Sequence, residues 1–267
     1  MQPLRAVLFV LLGLCAVEPA NAEIILSPLR QVITPQAPVA TYRVSNPSAR
    51  IVEGRLSWID LAATETGYEP ANAETRAKTS AAPYLEVEPA DFRLNPGESA
   101  TITVTLRRPP PGPGEWRSHL LIATEAARSP LRRTSGSLQV DIGLGVSTPV
   151  ILRAGKGEAA AKIGETRLIR GADGLIELET HLEPQGDFSA FGGIEVYFTP
   201  EGGARSLMRK VENVAAYVDA PSRRVVAPLG VKSLPGGDLE VRYVGRAEFE
   251  GRLFAKRNFA VSPPSAP

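Results

Sequence analysis

The chain has 267 residues, with 30 Lys and Arg against 29 Asp and Glu, so its formal charge is +1. That balance lacks the basic excess a nucleic-acid binder sets against phosphates. With 43% hydrophobic and 22% charged residues it is composed like a globular protein, and 24 Gly with 24 Pro favour turns and short strands over long helices.

Residues 1–22 read as a secretory signal peptide. Arg5 gives the basic start, residues 6–17 the apolar run, and Ala20-Asn21-Ala22 a small-x-small cleavage site before Glu23. An apolar run of this length falls short of the roughly 20 residues a spanning helix needs. Cys15 follows Leu14, where a lipoprotein site wants a small residue. Cleavage removes Arg5, Glu18 and the single Cys, so the exported chain has no disulfide, thiolate metal ligand or cysteine nucleophile.

From Glu23 onward the apolar residues follow a period of two, which predicts strands at 24–33, 39–46, 51–60, 84–87, 99–107, 116–124 and 137–152. Asn46-Pro47-Ser48, Asn95-Pro96-Gly97 and the Pro-Gly run 109–114 supply turns between them. About seven short strands over this length is the rhythm of an immunoglobulin-like sandwich, a domain spanning 23–153. Residues 62–82 have no strong period and predict a long mobile loop with a single helical turn. Residues 154–158 read as a linker. Strands are then predicted at 161–168, 174–181, 193–198, 214–218, 224–227, 238–244 and 252–261, a second sandwich over 159–261 with a frayed tail at 262–267. The fold class is all-β, two β-sandwich domains.

Chemistry-bearing constellations are scarce. The only histidines, His119 and His181, fall in different predicted domains, which leaves no hydrolase triad; there is no G-x-S-x-G turn and no H-E-x-x-H helix. No spacing predicts a metal site, and no Gly-rich phosphate loop occurs, so no cofactor is expected. Glu86 and Glu88 share one strand face, a pattern that fits a solvated face better than a glycosidase pair across a cleft. The chain reads as a non-enzyme.

Two features stand out. Leu138, Val140, Ile142, Leu144 and Val146 alternate with polar or small residues and form a wholly aliphatic row. Such a row either fills its own core or is left partly open to a partner's unfinished core, where it is also open to a second copy of the chain. Arg30 is a cation among Ile24, Ile25, Leu26, Leu29, Val32 and Ile33. It either snorkels to the surface or pairs with an acid, or it waits in a cleft for a carboxylate it can hold bidentately.

In order and spacing, several segments resemble the PapD-like periplasmic chaperone family of pilus assembly. They are Ser27-Pro28-Leu29-Arg30, Val44-Ser45-Asn46-Pro47, Pro83-Tyr84-Leu85-Glu86-Val87, Phe92 to Ser99, Gly114 to Leu120, and Pro149-Val150-Ile151-Leu152-Arg153. Residues 159–261 match only in size and strand content. The resemblance implies two immunoglobulin-like domains set at an angle around a cleft, and a chaperone that caps pilin-like subunits by donor-strand complementation before an outer-membrane usher receives them. The lent strand maps onto Leu138, Val140, Ile142, Leu144 and Val146. The resemblance also implies an anchor for the subunit's terminal carboxylate, with Arg30 at the first position. The family's lysine is missing, because 147–152 holds no cation, and Arg153 is the next candidate, ahead of Lys156 and Lys162. Arg117 matches a strand position of structural type. The other readings are a secreted structural or adhesive module whose last strand stays internal, and, from Glu86 and Glu88 alone, a carbohydrate hydrolase.

Overall fold

The computed structural model describes residues 24–126 and 144–262. In chain order the first half carries β1 (Ile25–Ser27), β2 (Gln31–Ile33), β3 (Val39–Ser45), β4 (Val52–Ile59), β5 (Leu61–Ala63), β6 (Tyr68–Pro70) and the helix α1 (Ala73–Thr79). It continues with β7 (Leu85–Glu88), β8 (Asp91–Leu94), β9 (Ser99–Leu106), β10 (Gly114–Ala126) and β11 (Leu144–Ala154). These build two facing sheets, β1-β3-β9-β7 and β2-β11-β10-β4-β8, with β5 and β6 as a separate hairpin. Strand alternation explains the layers. In β3, Ala40, Tyr42 and Val44 point inward and Thr41 and Arg43 outward, and the inward row meets Ile33, Ile102, Leu120, Ile122 and Leu152. Each such side chain contributes about 1.5–3 kcal/mol by leaving water.

The second half carries β12 (Ala161–Arg170), β13 (Ile176–Pro184), β14 (Ala190–Pro200), β15 (Ser206–Ala216), β16 (Arg223–Pro228), β17 (Gly237–Gly245) and β18 (Leu253–Val261). Sheet β12-β13-β16 faces sheet β15-β14-β17-β18 across Leu178, Leu182, Ile194, Val241 and Tyr243. The architecture is all-β, two sandwiches with a cleft between them. Among the described residues no helix is long and apolar enough to cross a membrane.

Three local differences from the sequence reading matter. The single strand expected at 24–33 is two strands: β1 pairs with β3 in one sheet and β2 with β11 in the other. Pro28 interrupts the ladder because it has no N–H to donate, and the chain changes sheets there, leaving Arg30 in the crossing rather than within a strand. The short strand β8 was not among those expected. It lies against β4 where Gly54 opposes Phe92, and a Cβ on Gly54 would sit 2.2 Å from that ring. The stretch expected as a mobile loop, 62–82, is ordered: the β5–β6 hairpin, then α1 capped by Asn72, whose side chain accepts from the Thr75 N–H at 2.8 Å. Asp60 pins the end of this excursion by accepting from Ser118 Oγ at 2.5 Å and Ser80 Oγ at 2.9 Å.

The two turn motifs read from sequence are one structure. Asn46 is buried; its side-chain amide donates to the Leu94 and Asn95 carbonyls, and its own carbonyl accepts from the Gly97 N–H at 2.9 Å. Gly97 adopts φ 77°, a left-handed conformation that favours glycine.

Candidate functional site: the cleft between the sandwiches

A cavity of about 640 Å³ lies between the sandwiches, bordered on one side by Arg30, the β5–β6 hairpin and Pro149, and on the other by Phe191, Tyr217, Arg246 and Ala247. Its floor is apolar, where Ile151 packs on Ala215 and Tyr217 with Val32, Ala63 and Phe191 around them.

Both predicted anchor arginines come to this interface, and one acid joins them. Arg30 Nη1 donates to both oxygens of Glu248, at 2.5 and 2.6 Å, while its guanidinium stacks on Phe191 at 4.6 Å. Arg153 donates from Nη1 to Glu248 at 3.2 Å, from Nε to Glu115 at 2.8 Å and from Nη2 to the Ser189 carbonyl at 2.8 Å. Glu115 is the direct cross-strand partner of Arg153 in the β10–β11 ladder. Both arginine side chains are more than nine-tenths buried, so their paired acids are a requirement of folding the cations out of water. The Nε and Nη2 of Arg30 have no hydrogen-bond partner. Lys156 is exposed, and Lys162 pairs with Glu183 at 2.7 Å; neither borders the cleft.

A second ion pair closes the hairpin end. Arg117 forms a fork with Asp219, Nη1 to Oδ1 at 2.9 Å and Nη2 to Oδ2 at 2.8 Å, and its guanidinium lies 3.9 Å over the Tyr217 ring. Burial opposes the Arg117 cation, but Asp219 outweighs it and holds the guanidinium protonated above its ordinary range. The hairpin adds Tyr68 Oη donating to Tyr217 Oη at 2.9 Å, the Arg224 N–H donating to the Glu65 carbonyl at 2.8 Å, and Glu65 beside His181 at 3.3 Å. His119 is buried, edge-on to Tyr68 at 5.0 Å, and neither ring nitrogen has a hydrogen-bond partner. Burial first, and Arg117 second, lower its pKa to about 4. Each histidine packs at the interface; among the described residues His119 has no hydrogen-bonded nucleophile or acid, and His181 has Glu65 as an acid neighbour but no hydrogen bond to a nucleophile. Glu86 pairs with Arg107, while Glu88 is an exposed strand end.

The aliphatic row is only partly within the described residues: Leu138, Val140 and Ile142 lie outside them. Of the rest, Val146 is half-buried and packs on its own sandwich, on the face that Val150 and Leu152 bury completely further along β11. On its backbone, β11 pairs with β10 over its full length, Leu144 to Ala154, but with β2 only at 150–152. Among the described residues, 144–149 therefore present an edge with no strand beside it.

Sequence reading missed Glu115, Phe191, Tyr217, Asp219 and Glu248. One signal was available. Arg117 and Arg153 sit within apolar strands, and a strand-interior arginine folded into a core requires an acid. Which acid answers it is set by tertiary contact, 102 residues away for Asp219 and 38 residues away across the β10–β11 ladder for Glu115, which no local pattern encodes.

No family model matches the chain, and no curated protein matches it in sequence. Solved structures similar to it include the YadV chaperone, at 11% identity and TM-score 0.48, covering 90% of this chain and 100% of that one. The Pseudomonas aeruginosa CupB2 chaperone is similar at 13% identity and TM-score 0.43, over 88% of this chain and 98% of that one. So is the E. coli chaperone DraB, at 15% identity and TM-score 0.43, over 90% and 97%. All three of these solved proteins are chaperones.

Proposed function

We propose that the chain is a non-enzymatic periplasmic chaperone for pilin-like subunits. It lends the edge of β11 to the subunit's incomplete sandwich, holds the subunit's terminal carboxylate in the cleft at Arg30 and Arg153, and releases the subunit to an outer-membrane usher. The observation that carries this reading is the open backbone edge at 144–149, continuous with an aliphatic row at 138–146. Strand addition needs both features: free N–H and C=O groups fix the register, and alternate side chains fill the groove. Arg30, which borders the cleft, and Arg153, buried at the same interface, supply the second half of the reading, since a terminal carboxylate is the ligand a guanidinium fork matches. Residues 1–22 supply export as a signal peptide, with the sandwiches at 23–153 and 159–261 joined through 154–158.

The test is co-expression in a periplasm with a pilin-like subunit from the source genome. Ile142→Asp with Leu144→Asp is expected to abolish co-purification of the subunit, and Arg30→Ala to reduce it. Undiminished recovery with the double variant removes strand lending. The competing reading, a structural or adhesive module with an internal last strand, takes its support from Val146 packing on its own core; it predicts that the double variant unfolds rather than losing a partner.

A further inference from the structure

Arg30 is sealed. Its side chain is 7% exposed, closed off by Phe191 on one face and by Glu248, its only ion-pair partner among the described residues. With the side chain this closed, an outside carboxylate reaches the guanidinium only if one of the groups around it moves, and Glu248 is the more exposed member of the pair. We infer that Glu248 is an internal stand-in for the client's terminal carboxylate: it keeps the anchor closed in the free protein and swings out as the client's chain end takes its place on Arg30. This rests on the reading of the cleft as a carboxylate anchor.

Three observations make the exchange favourable. Glu248 satisfies Arg30 through a single nitrogen, Nη1, and leaves Nε and Nη2 buried without a partner. A carboxylate entering along that empty edge makes two parallel N–H bonds, the stronger guanidinium arrangement, and ends the cost of buried unpaired donors. Second, Glu248 is mounted to move. It is 27% exposed on a one-turn 3-10 segment, Ala247–Phe249, and Ala247 is held at φ 55°, a left-handed conformation unfavourable for any residue with a Cβ. Ala247 itself borders the cavity, so the turn moves beside space already open. Third, Arg153 does not depend on Glu248, because Glu115 and the Ser189 carbonyl already hold two of its nitrogens. Departure of Glu248 orphans Arg30 alone, and Arg30 is where the arriving charge belongs.

The probe is N-acetyl-phenylalanine, one terminal carboxylate with one ring for the aromatic wall of the cleft, and its control is the uncharged N-acetyl-phenylalanine amide. Both are titrated against the wild-type full chain and Glu248→Gln. The acid is expected to bind Glu248→Gln roughly tenfold tighter than wild type, about 1.4 kcal/mol, with no gain for the amide. In ¹³C-labelled wild-type protein, saturation with the acid is expected to move the Glu248 carboxyl signal to the position of a solvent-exposed glutamate. That second measurement stands even if the variant fails to fold. Acid-selective binding that is no tighter in Glu248→Gln, or a Glu248 signal that stays put at saturation, overturns the stand-in and leaves the anchor intact. Equal binding of acid and amide, or binding of neither by either protein, overturns the anchor and the stand-in together.

Discussion

The interface between the sandwiches is fastened at two ends by the same chemistry arranged differently. At the hairpin end one arginine meets one carboxylate as a fork: Arg117 takes both oxygens of Asp219 through two nitrogens, adds the Leu61 carbonyl at 3.2 Å, lies on Tyr217, and leaves only Nε without a partner. At the other end two arginines share Glu248, and one of them keeps two buried N–H groups idle. A buried charge is strongly held when its partner is matched to it and costly to orphan. An underfilled pair stands closer to exchange. The first end is therefore the more firmly matched of the two, and on the function proposed above the second is where a client's terminal charge would be taken up.

The sharpest way to break this contrast is to remove Asp219. Arg117 is 4% exposed and among the described residues pairs with no other acid, so Asp219→Ala is expected to cost about 3–5 kcal/mol in a denaturant titration followed by circular dichroism. If Asp219→Ala costs no more than a surface pair, the fork is decorative and the two ends do not differ in kind.

Acid probes the same end more gently. His119 has its folded pKa lowered to about 4 from an ordinary 6.5, by burial and then by Arg117. Between those values the unfolded chain binds the extra proton, so stability is intact above pH 6.5 and falls as pH drops toward 4. The whole window is worth about 3 kcal/mol at about 1.4 kcal/mol per unit. His119→Leu is expected to flatten the slope between pH 6.5 and 4.5 in paired denaturant titrations. An unchanged slope places the acid sensitivity on other groups.

The sequence carried the architecture further than the site. Period-two alternation located most of the strands, because a half-buried strand must alternate; it missed β8, whose four residues are too few to establish a period. It merged β1 and β2, since alternation continues through a proline that redirects the chain between sheets. The excursion at 62–82 lacked a hydrophobic signal because its order comes from polar contacts with distant residues, Asp60 with Ser118 and Glu65 with Arg224. Arg30 and Arg153 were legible as cations out of place among apolar neighbours. Their shared partner was not, because Glu248 lies in a surface turn of ordinary composition and acquires its role only when the second sandwich folds against the first.

The smallest expected effect dissects how the hairpin holds. Tyr68 makes four contacts at once: its hydroxyl donates to Tyr217, and its ring meets His119 edge-on, tilts against the Tyr217 ring at 5.9 Å and lies under Arg117 at 5.8 Å. Tyr68→Phe deletes only the hydroxyl and leaves the ring contacts, so it is expected to cost about 1 kcal/mol, the net worth of one hydrogen bond. Tyr217→Phe removes the acceptor of the same bond, and in a double-variant cycle the two losses are expected to fall short of adding, by about the energy of that bond. Strict additivity means the hydroxyls do not couple, and the hairpin is then held by ring packing, the Glu65 contacts and the Arg117 fork. Either result leaves the contrast between the two ends standing, but the second takes the hydroxyl pair out of what holds the hairpin end rigid.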